Sequence, residues 1–194
     1  MKRICVFCGA NPGQGKLYLE AATQLGKILA KKTIGLVYGG ASVGLMGAVA
    51  EAALHEGGEV IGIIPEDLVK KEVAHKGLKD LRVVKSMHER KALMEKLSDG
   101  FIALPGGFGT LEEFCEILTW AQLGLHQKPS GLLNISGYYD QFLSFLNHAH
   151  KEQFIRDGHR KMLLEGKTPE ELLEKFATYK PPQVQKWIHS TSAT

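Results

Sequence analysis

The chain has 194 residues, of which 44% are hydrophobic and 23% are charged. This composition is typical of a globular protein, and the length suits one sizeable core and is short for two domains. The formal net charge of +3 is small and unclustered, so neither a nucleic-acid partner nor a membrane surface is indicated. No segment approaches the length of a membrane span. The odd count of three cysteines fits a protein of the reducing cytoplasm.

Short apolar runs alternate along the chain with segments of helical periodicity. The first run stops at Gly9, in a loop rich in glycine and proline, which is typical of a buried strand entering a turn. Strands are predicted at Ile4–Phe7, Gly35–Tyr38, Val60–Ile64, Leu81–Val84, Phe101–Leu104, Gly131–Ile135 and Met162–Leu164. Helices are predicted at Leu17–Ala30, Leu45–His55, Met87–Leu97, Leu111–Leu123, Tyr138–Ala149 and Pro169–Phe176.

The order of these elements predicts the fold class. Strands that are apolar along their whole length and separated by helices indicate a parallel sheet covered on both faces. We therefore predict a Rossmann-like, doubly wound α/β fold in a single domain over residues 1–180. Thr168 and Pro169 supply the cap and the first-turn proline of the last helix. Residues 181–194, which begin with two prolines, are predicted to form a C-terminal tail.

Glycine-dense turns follow two of the predicted strands. The turn after Tyr38 contains Gly40, Ser42, Gly44 and Met46, and the turn after Leu104 contains Gly106, Gly107, Gly109 and Thr110. In an open parallel sheet ligands bind beyond the carboxyl ends of the strands, and the N–H groups that begin a helix favour an anion. A single glycine-rich turn would be explained by the ordinary use of glycine in the turns of an α/β domain. Two of them predict a clasp for a single phosphate.

The loops do not match the common nucleotide motifs. The turn from Gly9 to Gly15 lacks the dinucleotide fingerprint, and Lys16 is followed by Leu17 where a Walker loop has Ser or Thr. A nicotinamide dehydrogenase and a P-loop kinase are therefore disfavoured, and no cofactor is expected.

We expect no metal site either. Cys5 lies in the first predicted strand and Cys8 directly follows it, and both are interpreted as core residues. His148 and His150 point to different faces of a predicted helix, and no cysteine cluster or H-E-x-x-H motif is present.

Arg90 lies in the apolar stripe of the predicted helix Met87–Leu97. Burial of a guanidinium group destabilises the protein unless a carboxylate or a phosphate pairs with it. Since this helix begins at the edge of the sheet that carries the glycine turns, Arg90 is a candidate to face the ligand. The alternatives are a structural ion pair with a nearby acid and a side chain that extends past the helix edge.

Thr110 and Glu113 have two interpretations. They have the spacing of a capping box, with Thr110 as the N-cap and Glu113 reaching back from the first turn. In the functional interpretation, Glu112 or Glu113 lies beside the sugar of the bound nucleotide, where positive charge develops as a glycosidic bond breaks. A carboxylate there also positions or activates water. The sequence leaves both interpretations open.

Three segments together resemble a known family. Pro105–Glu113 resembles the PGGxGTxxE signature of the Lonely Guy (LOG) family of cytokinin riboside 5′-monophosphate phosphoribohydrolases. Met87–Lys91 and Tyr38–Gly47 resemble two further signatures, and the similarity extends from Val6 to Tyr139. The resemblance implies a Rossmann-like homodimer that hydrolyses the N-glycosidic bond of AMP or of N6-modified AMP, releasing free base and ribose 5-phosphate.

The resemblance also implies roles for individual residues. Arg90 and Glu113 are expected to be catalytic. The expected substrate-binding residues are Glu72, Lys91, Gly40, Ser42, Gly44, Met46, Gly106, Gly107, Gly109, Thr110, Glu112 and Thr119. Ala10 and Asn11 depart from the family, where hydroxyl residues are common, which leaves the phosphate contacts of the first loop open. The older family label, possible lysine decarboxylase, requires a lysine that binds pyridoxal phosphate, and we identify no such lysine in the sequence.

Two other classes of function remain as alternatives: a carrier that binds its ligand without cutting it, and an enzyme that acts on another phosphosugar. Molybdenum-cofactor carrier proteins share the signature and a similar fold. The carrier alternative is therefore a protein that binds a nucleotide or the molybdenum cofactor and does not hydrolyse it. An acid beside a bound anion favours the enzyme, because a phosphate carrier has no need of one. For the homodimer, the helix from Leu111, with Trp120 and Leu123, is a candidate subunit interface, although core packing explains the same residues.

Overall fold

The computed structural model describes residues 1–69 and 73–182. Within them, seven parallel strands form one sheet in the order β4-β3-β2-β1-β5-β6-β7. The strands are β1 Arg3–Phe7, β2 Gly35–Tyr38, β3 Val60–Pro65, β4 Asp80–Val84, β5 Gly100–Ala103, β6 Ser130–Leu133 and β7 Leu163–Gly166. The α-helices are α1 Leu17–Lys31, α2 Gly44–His55, α3 Glu66–Val69, α4 Met87–Leu97, α5 Phe108–Gln122, α6 Asp140–Lys151, α7 Asp157–Arg160 and α8 Pro169–Ala177.

Helices cover both faces of the sheet and bury two hydrophobic cores. Alternate residues of β1 point to opposite faces, so Ile4 joins the core beneath α1, α2 and α8 whereas Phe7 joins the core beneath α4, α5 and α6. The strands at the centre are buried on both faces, which explains their continuous apolar runs. The predicted doubly wound α/β fold is confirmed.

Cys5 and Cys8 illustrate this alternation. Both are buried and unbonded, and they lie in opposite cores, as the interpretation of them as core residues predicted. Burial raises the pKa of both thiols, so they are protonated and inert at neutral pH.

The strand order reverses at β1, which lies between β2 and β5. Two backbone hydrogen bonds join the loops at this switch point. The N–H of Gly9 donates to the carbonyl of Pro105 at 3.0 Å, and the N–H of Leu45 donates to the carbonyl of Gly9 at 3.0 Å. The loops after β1, β2 and β5 therefore form one connected surface at the edge where an α/β sheet binds its ligands.

The boundaries of the elements differ from the predictions mainly at the start of α5. This helix begins at Phe108, with Gly107 as its N-cap, and not at Leu111. Of the two interpretations of Thr110 and Glu113, the capping box is therefore excluded, because Thr110 lies inside the first turn of the helix. By contrast, the predicted cap of α8 is confirmed, since the Thr168 hydroxyl accepts a hydrogen bond from the Glu171 N–H at 3.2 Å.

Two α-helices were not predicted. The helices α3 and α7 have four residues each, too few for the apolar periodicity that identifies a helix. The predicted C-terminal tail lies outside the described residues except for Pro181 and Pro182. Among the helices that the structure describes, none has the combination of length and hydrophobicity needed to cross a bilayer.

Candidate active site

A cleft with a volume of about 390 Å³ opens beyond the carboxyl ends of the central strands. The loops after β1, β2 and β5 line it, together with one arginine from α4 and the first two turns of α5. The lining side chains and backbone belong to Cys8, Gly9, Ala10, Asn11, Gly39, Ala41, Val43, Met46, Ile64, Leu68, Val73, Arg90, Gly107, Gly109, Thr110 and Glu113. The structure thus brings together both predicted catalytic residues and most of the second glycine turn.

The start of α5 is open toward this cleft. The N-cap residue Gly107 has no side chain to bond the first N–H groups of the helix, which have no partners within it. A Cβ atom on Gly107 or on Gly109 would meet no other atom within 4 Å, so both glycines face free space. Exposed N–H groups at the positive end of a helix form a site for an anion such as a phosphate.

Gly106 has a different role from its neighbours. A Cβ atom there would lie 2.1 Å from the Thr110 hydroxyl oxygen, so this glycine makes room for the buried Thr110 side chain. Its carbonyl accepts a hydrogen bond from the Tyr138 hydroxyl at 2.8 Å. Gly106 thus stabilises the turn and does not line the cleft; it lines a smaller neighbouring cavity of about 170 Å³.

The start of α2 is closed. The N–H of Leu45 is already paired with the Gly9 carbonyl, and a Cβ atom on Gly44 would lie 2.3 Å from the carbonyl carbon of Ala10. The loop after β1 therefore occupies the place that a ligand would take. The clasp of one phosphate by both glycine turns stays a prediction. At the turn before α5, Gly107 and Gly109 face free space, whereas at the turn before α2 the Leu45 N–H is paired and Ala10 covers Gly44.

Of the four predicted ligands in the first turn, only Met46 lines the cleft. Gly40 has a φ of 75° and packs against Ile64, where a Cβ atom would lie at 3.1 Å. The Ser42 N–H donates to the Val73 carbonyl at 2.9 Å, which ties the turn to the strand-like segment after α3. Gly40, Ser42 and Gly44 build the wall of the cleft and do not face it.

Arg90 lies beneath the cleft, with its side chain only 9% exposed. Its Nε donates to the Ile63 carbonyl at 3.0 Å, and its Nη2 donates to the Gly39 carbonyl at 3.2 Å. Gly39 is required here because a Cβ atom would lie 2.1 Å from Nη2. The predicted burial of Arg90 is confirmed. These bonds fix the guanidinium with Nη1 3.5 Å from a carboxylate oxygen of Glu113.

Glu113 is the acid of the cleft. Its side chain is 14% exposed, and its distance of 3.5 Å from Arg90 is longer than a hydrogen bond, so neither group is saturated by the other. Burial raises the pKa of this carboxyl, with Arg90 acting in the opposite direction and Glu112 adding to the rise. The site therefore holds an acid whose titration is shifted toward the neutral range, as is frequent in active sites.

Lys91 and Glu112 do not line the cleft. The Lys91 side chain is 7% exposed, and its Nζ lies 2.5 Å from Glu112 and 3.0 Å from Glu116. Burial lowers the pKa of Lys91, but the hydrogen bond to Glu112 and the ion pair with Glu116 outweigh it and leave the pKa raised. Of the two adjacent glutamates, Glu113 faces the cleft and Glu112 is held by Lys91.

Thr119 and Glu72 were also predicted to contact the ligand. Thr119 lies nine residues beyond Thr110 on α5, and its hydroxyl donates to the Cys115 carbonyl at 2.8 Å. It lines a separate cavity of about 170 Å³ near α6, because two and a half helical turns carry it to the opposite side of α5. The expectation that Thr119 lines the same cleft is therefore corrected. Glu72 lies outside the described residues.

Several cleft residues were missed in the sequence. Ile64, Leu68 and Val73 come from β3, α3 and the segment after it, and they give one wall of the cleft an apolar surface. No local pattern identifies them as cleft residues, since an apolar residue is expected in each of these segments for packing alone. Tyr139 was missed as well: its buried hydroxyl donates to the Leu104 carbonyl at 2.6 Å and so helps to hold the second turn. Paired tyrosines after an apolar strand could have indicated this, because a buried tyrosine hydroxyl needs a partner.

Among the residues that the structure describes, no group of three His, Cys, Asp or Glu side chains is placed to bind a metal ion. The fold and the cleft together define a doubly wound α/β protein with an uncapped helix start at its topological switch point and a buried acid beside it.

Comparison with known proteins gives the family. Residues 46–176 match the model of a family described as possible lysine decarboxylase. The chain is 51% identical over 181 residues to cytokinin riboside 5′-monophosphate phosphoribohydrolase LOG of Oryza sativa subsp. japonica, with 93% of this chain and 74% of the relative covered. It is also 51% identical over 181 residues to LOG3 of Arabidopsis thaliana, a cytokinin riboside 5′-monophosphate phosphoribohydrolase, covering 93% of this chain and 84% of the relative. The chain belongs to this family, the LOG family.

Solved structures support the same fold. A molybdenum cofactor binding protein from Rippkaea orientalis superposes with a TM-score of 0.70 at 25% identity, covering 92% of this chain and 97% of that chain. A Moco carrier protein from Chlamydomonas reinhardtii superposes with a TM-score of 0.66 at 20% identity, covering 89% of this chain and 93% of that chain. These likenesses agree with the sheet described above.

Proposed function

We propose that this protein hydrolyses the N-glycosidic bond of AMP or of N6-modified AMP, releasing the free base and ribose 5-phosphate. The observation that carries the proposal is the location of Arg90 and Glu113 in the same cleft as the uncapped start of α5. The relatives at 51% identity bear the name of cytokinin riboside 5′-monophosphate phosphoribohydrolase, which supports the same reaction.

In the proposed complex, the 5′-phosphate binds the N–H groups of Phe108, Gly109 and Thr110, and the ribose lies beside Glu113. The bond between C1′ and N9 of the purine breaks, and its electron pair leaves with the base. Positive charge then develops on the ribose, where a buried carboxylate stabilises it strongly because water is excluded.

A water molecule completes the reaction. Its oxygen bonds to C1′, and it loses one proton as the departing purine gains one. Glu113 is the proposed group that orients this water and accepts its proton, since a raised pKa suits a general base.

For Arg90 we propose a role beside Glu113. It either clamps the phosphate or assists departure of the base, and kinetics distinguish the two. Loss of a clamp weakens binding of the substrate and its transition state equally, whereas loss of assistance lowers kcat.

The lining of the cleft supports hydrolysis over lysine chemistry. Among the described residues that line it there is no lysine, and the nearby Lys91 is engaged by two carboxylates. A pyridoxal phosphate enzyme requires a lysine that is free to form a Schiff base with the cofactor. The apolar wall of Ile64, Leu68 and Val73 suits a purine, and it also suits an apolar substituent on its N6 atom.

The test is to incubate the protein with AMP, with isopentenyladenosine monophosphate and with adenosine, and to measure free base by chromatography. We expect base from the two monophosphates and almost none from adenosine, because only the monophosphates carry the group that binds α5. Glu113→Gln is expected to lower kcat by about 10²–10⁴-fold. Tight binding of the monophosphates without release of base would favour a carrier and reject the proposal.

We also propose that two copies of the chain form a homodimer in the cytoplasm. Leu123, Leu125, Phe145 and Phe154 are exposed at or near α5 and α6, and apolar surface of this kind is typical of a subunit interface. Light scattering after size-exclusion chromatography tests the dimer. A mass near the 21.3 kDa of one chain would contradict it.

A further inference from the structure

Two layers of ion pairs join α4 to α5. The inner layer is Arg90 with Glu113, which face the cleft at a separation of 3.5 Å. The outer layer is Lys91 with Glu112 and Glu116, at separations of 2.5 and 3.0 Å. Consecutive residues on a helix differ in direction by about 100°, so Lys91 leaves α4 in a different direction from Arg90, and it does not line the cleft.

From this arrangement, and resting on the proposed function, we propose that Lys91 is a positioning residue: it clamps α4 to α5 and so sets the separation of Arg90 and Glu113, without contacting the substrate. The family motif had suggested a substrate contact instead. The buried position of Lys91 and its absence from the lining of the cleft argue against that contact.

The geometry of the carboxylates supports a clamp. Glu112 and Glu116 are four residues apart and therefore lie on one face of α5, where a single ammonium group reaches both. An ammonium group has three donors, which match two carboxylates converging on it. A pair of partners on neighbouring turns fixes both the distance and the rotation of α5 relative to α4.

The charges give the clamp a second effect. Glu112, Glu113 and Glu116 place three carboxylates of α5 opposite Arg90 and Lys91 of α4. Of these five charged groups, two are cations. Removal of Lys91 leaves Arg90 as the one cation among them, beside three carboxylates. Repulsion among the carboxylates then shifts Glu113 relative to Arg90, which its bonds to the Ile63 and Gly39 carbonyls hold in place, and the separation of 3.5 Å is lost.

Lys128, in the segment before β6, provides a matched control because it pairs with the same helix. Its Nζ lies 2.5 Å from Glu95 near the carboxyl end of α4 and 2.7 Å from the Glu95 carbonyl. Lys128→Met therefore removes a comparable partly buried ion pair of α4, but at the end of the helix away from the cleft. Loss of the Lys128–Glu95 ion pair is therefore expected to change the stability of the protein and not its catalytic rate.

The kinetic test compares Lys91→Met, Lys91→Arg and Lys128→Met in the hydrolysis of AMP. For Lys91→Met we expect kcat to fall on the order of 10–100-fold, with KM changed less than about threefold, because misplacement of catalytic groups by 1 Å costs about this much. Lys91→Arg keeps the charge and two donors, so we expect most of the activity to return. Lys128→Met is expected to keep the wild-type kcat. A raised KM with unchanged kcat in Lys91→Met would show that Lys91 contacts substrate and would overturn the clamp, leaving the proposed function intact.

A structural test decides the clamp even if the wild-type protein releases no base and the proposed function fails. Crystal structures of the wild-type protein and of Lys91→Met are compared at the distance from Arg90 Nη1 to Glu113 Oε1. We expect this distance to change by about 1 Å, a shift large enough to impair catalysis. An unchanged distance would overturn the clamp, whatever the activity.

Discussion

The starts of α2 and α5 look alike in sequence and differ in three dimensions. Both follow a strand of the central sheet through a glycine-rich turn, and both lack a side-chain cap. At α5 the glycines Gly107 and Gly109 face free space, so the N–H groups of the helix are accessible to an anion. At α2 the backbone of Ala10 lies against Gly44 and fills the corresponding place.

The difference teaches that glycine serves two physical purposes at such turns. One purpose is access, since a missing side chain lets a ligand reach the backbone. The other is packing, since a missing side chain lets another loop approach closely. Substitutions of individual glycines by alanine separate the two purposes, because packing glycines affect stability or geometry and access glycines affect binding.

The largest effect is expected from Gly44→Ala. The added Cβ atom would lie 2.3 Å from the carbonyl carbon of Ala10, and the φ of 56° is unfavourable for alanine. Backbone cannot move aside as a side chain can, so we expect a loss of about 3 kcal/mol in the free energy of unfolding. Thermal denaturation should show Tm lowered by roughly 6–12 °C. An unchanged Tm with a raised KM for AMP would mean that Gly44 serves access and not packing.

A smaller effect, and a different one, is expected from Gly39→Ala. The nearest atom to the new Cβ is Nη2 of Arg90, at 2.1 Å, which is the end of a side chain and can shift. The fold should therefore tolerate the change while Arg90 moves away from its place beside Glu113. We expect kcat to fall about 100-fold, equivalent to about 2.7 kcal/mol. Steady-state kinetics with AMP, at a temperature where circular dichroism shows a folded protein, check this.

Gly109→Ala probes the access glycine and should affect binding most. No atom lies within 4 Å of the added Cβ, so stability should be unchanged or slightly raised. The methyl group projects into the proposed phosphate site, and we expect KM for AMP to rise about tenfold, equivalent to about 1.4 kcal/mol. Calorimetric titration with AMP measures the same change as Kd. If Gly109→Ala binds AMP normally, the ligand does not approach this part of α5.

Much of the fold follows from local sequence patterns, as two elements illustrate. The strand β2 and the helix α4 have the predicted bounds, because apolar runs and the apolar stripe of a helix are local signals. The start of α5 was placed three residues late, since Phe108 is almost fully exposed and contributes nothing to an apolar stripe. The short helix α3 has no signal of its own.

The candidate site divides in the same way. Arg90 was identifiable because a charge among apolar residues of a helix requires a partner. Lys91 was not identifiable as buried, since a lysine beside an arginine fits an exposed helix surface equally well. The apolar wall of Ile64, Leu68 and Val73 comes from three successive segments that meet only in the folded chain.

The last and smallest expected effect concerns pH and the acid at the open start of α5. Burial raises the pKa of Glu113, assisted by Glu112 and Glu116 and opposed by Arg90 and Lys91. Since the carboxylate is the proposed active form, kcat/KM should fall as the pH drops through a pKa above the usual value of about 4.3 for a glutamate. The stability contribution has the opposite sense: a raised folded-state pKa stabilises the protein below the unfolded-state pKa, and this stabilisation is lost as the pH rises through the folded-state pKa.

Activity and stability should therefore change in opposite directions over the same pH range in the wild-type protein. Glu113→Gln removes the titrating group, so its free energy of unfolding should exceed that of the wild-type protein increasingly as the pH rises through this range. Denaturant unfolding of both proteins at several pH values, beside the pH profile of kcat/KM, measures both trends. A wild-type protein whose stability relative to Glu113→Gln is independent of pH would mean that the Glu113 carboxyl titrates normally. The cleft beside α5 would then be open enough to hydrate its acid fully, and the contrast with the closed start of α2 would be one of shape and not of electrostatics.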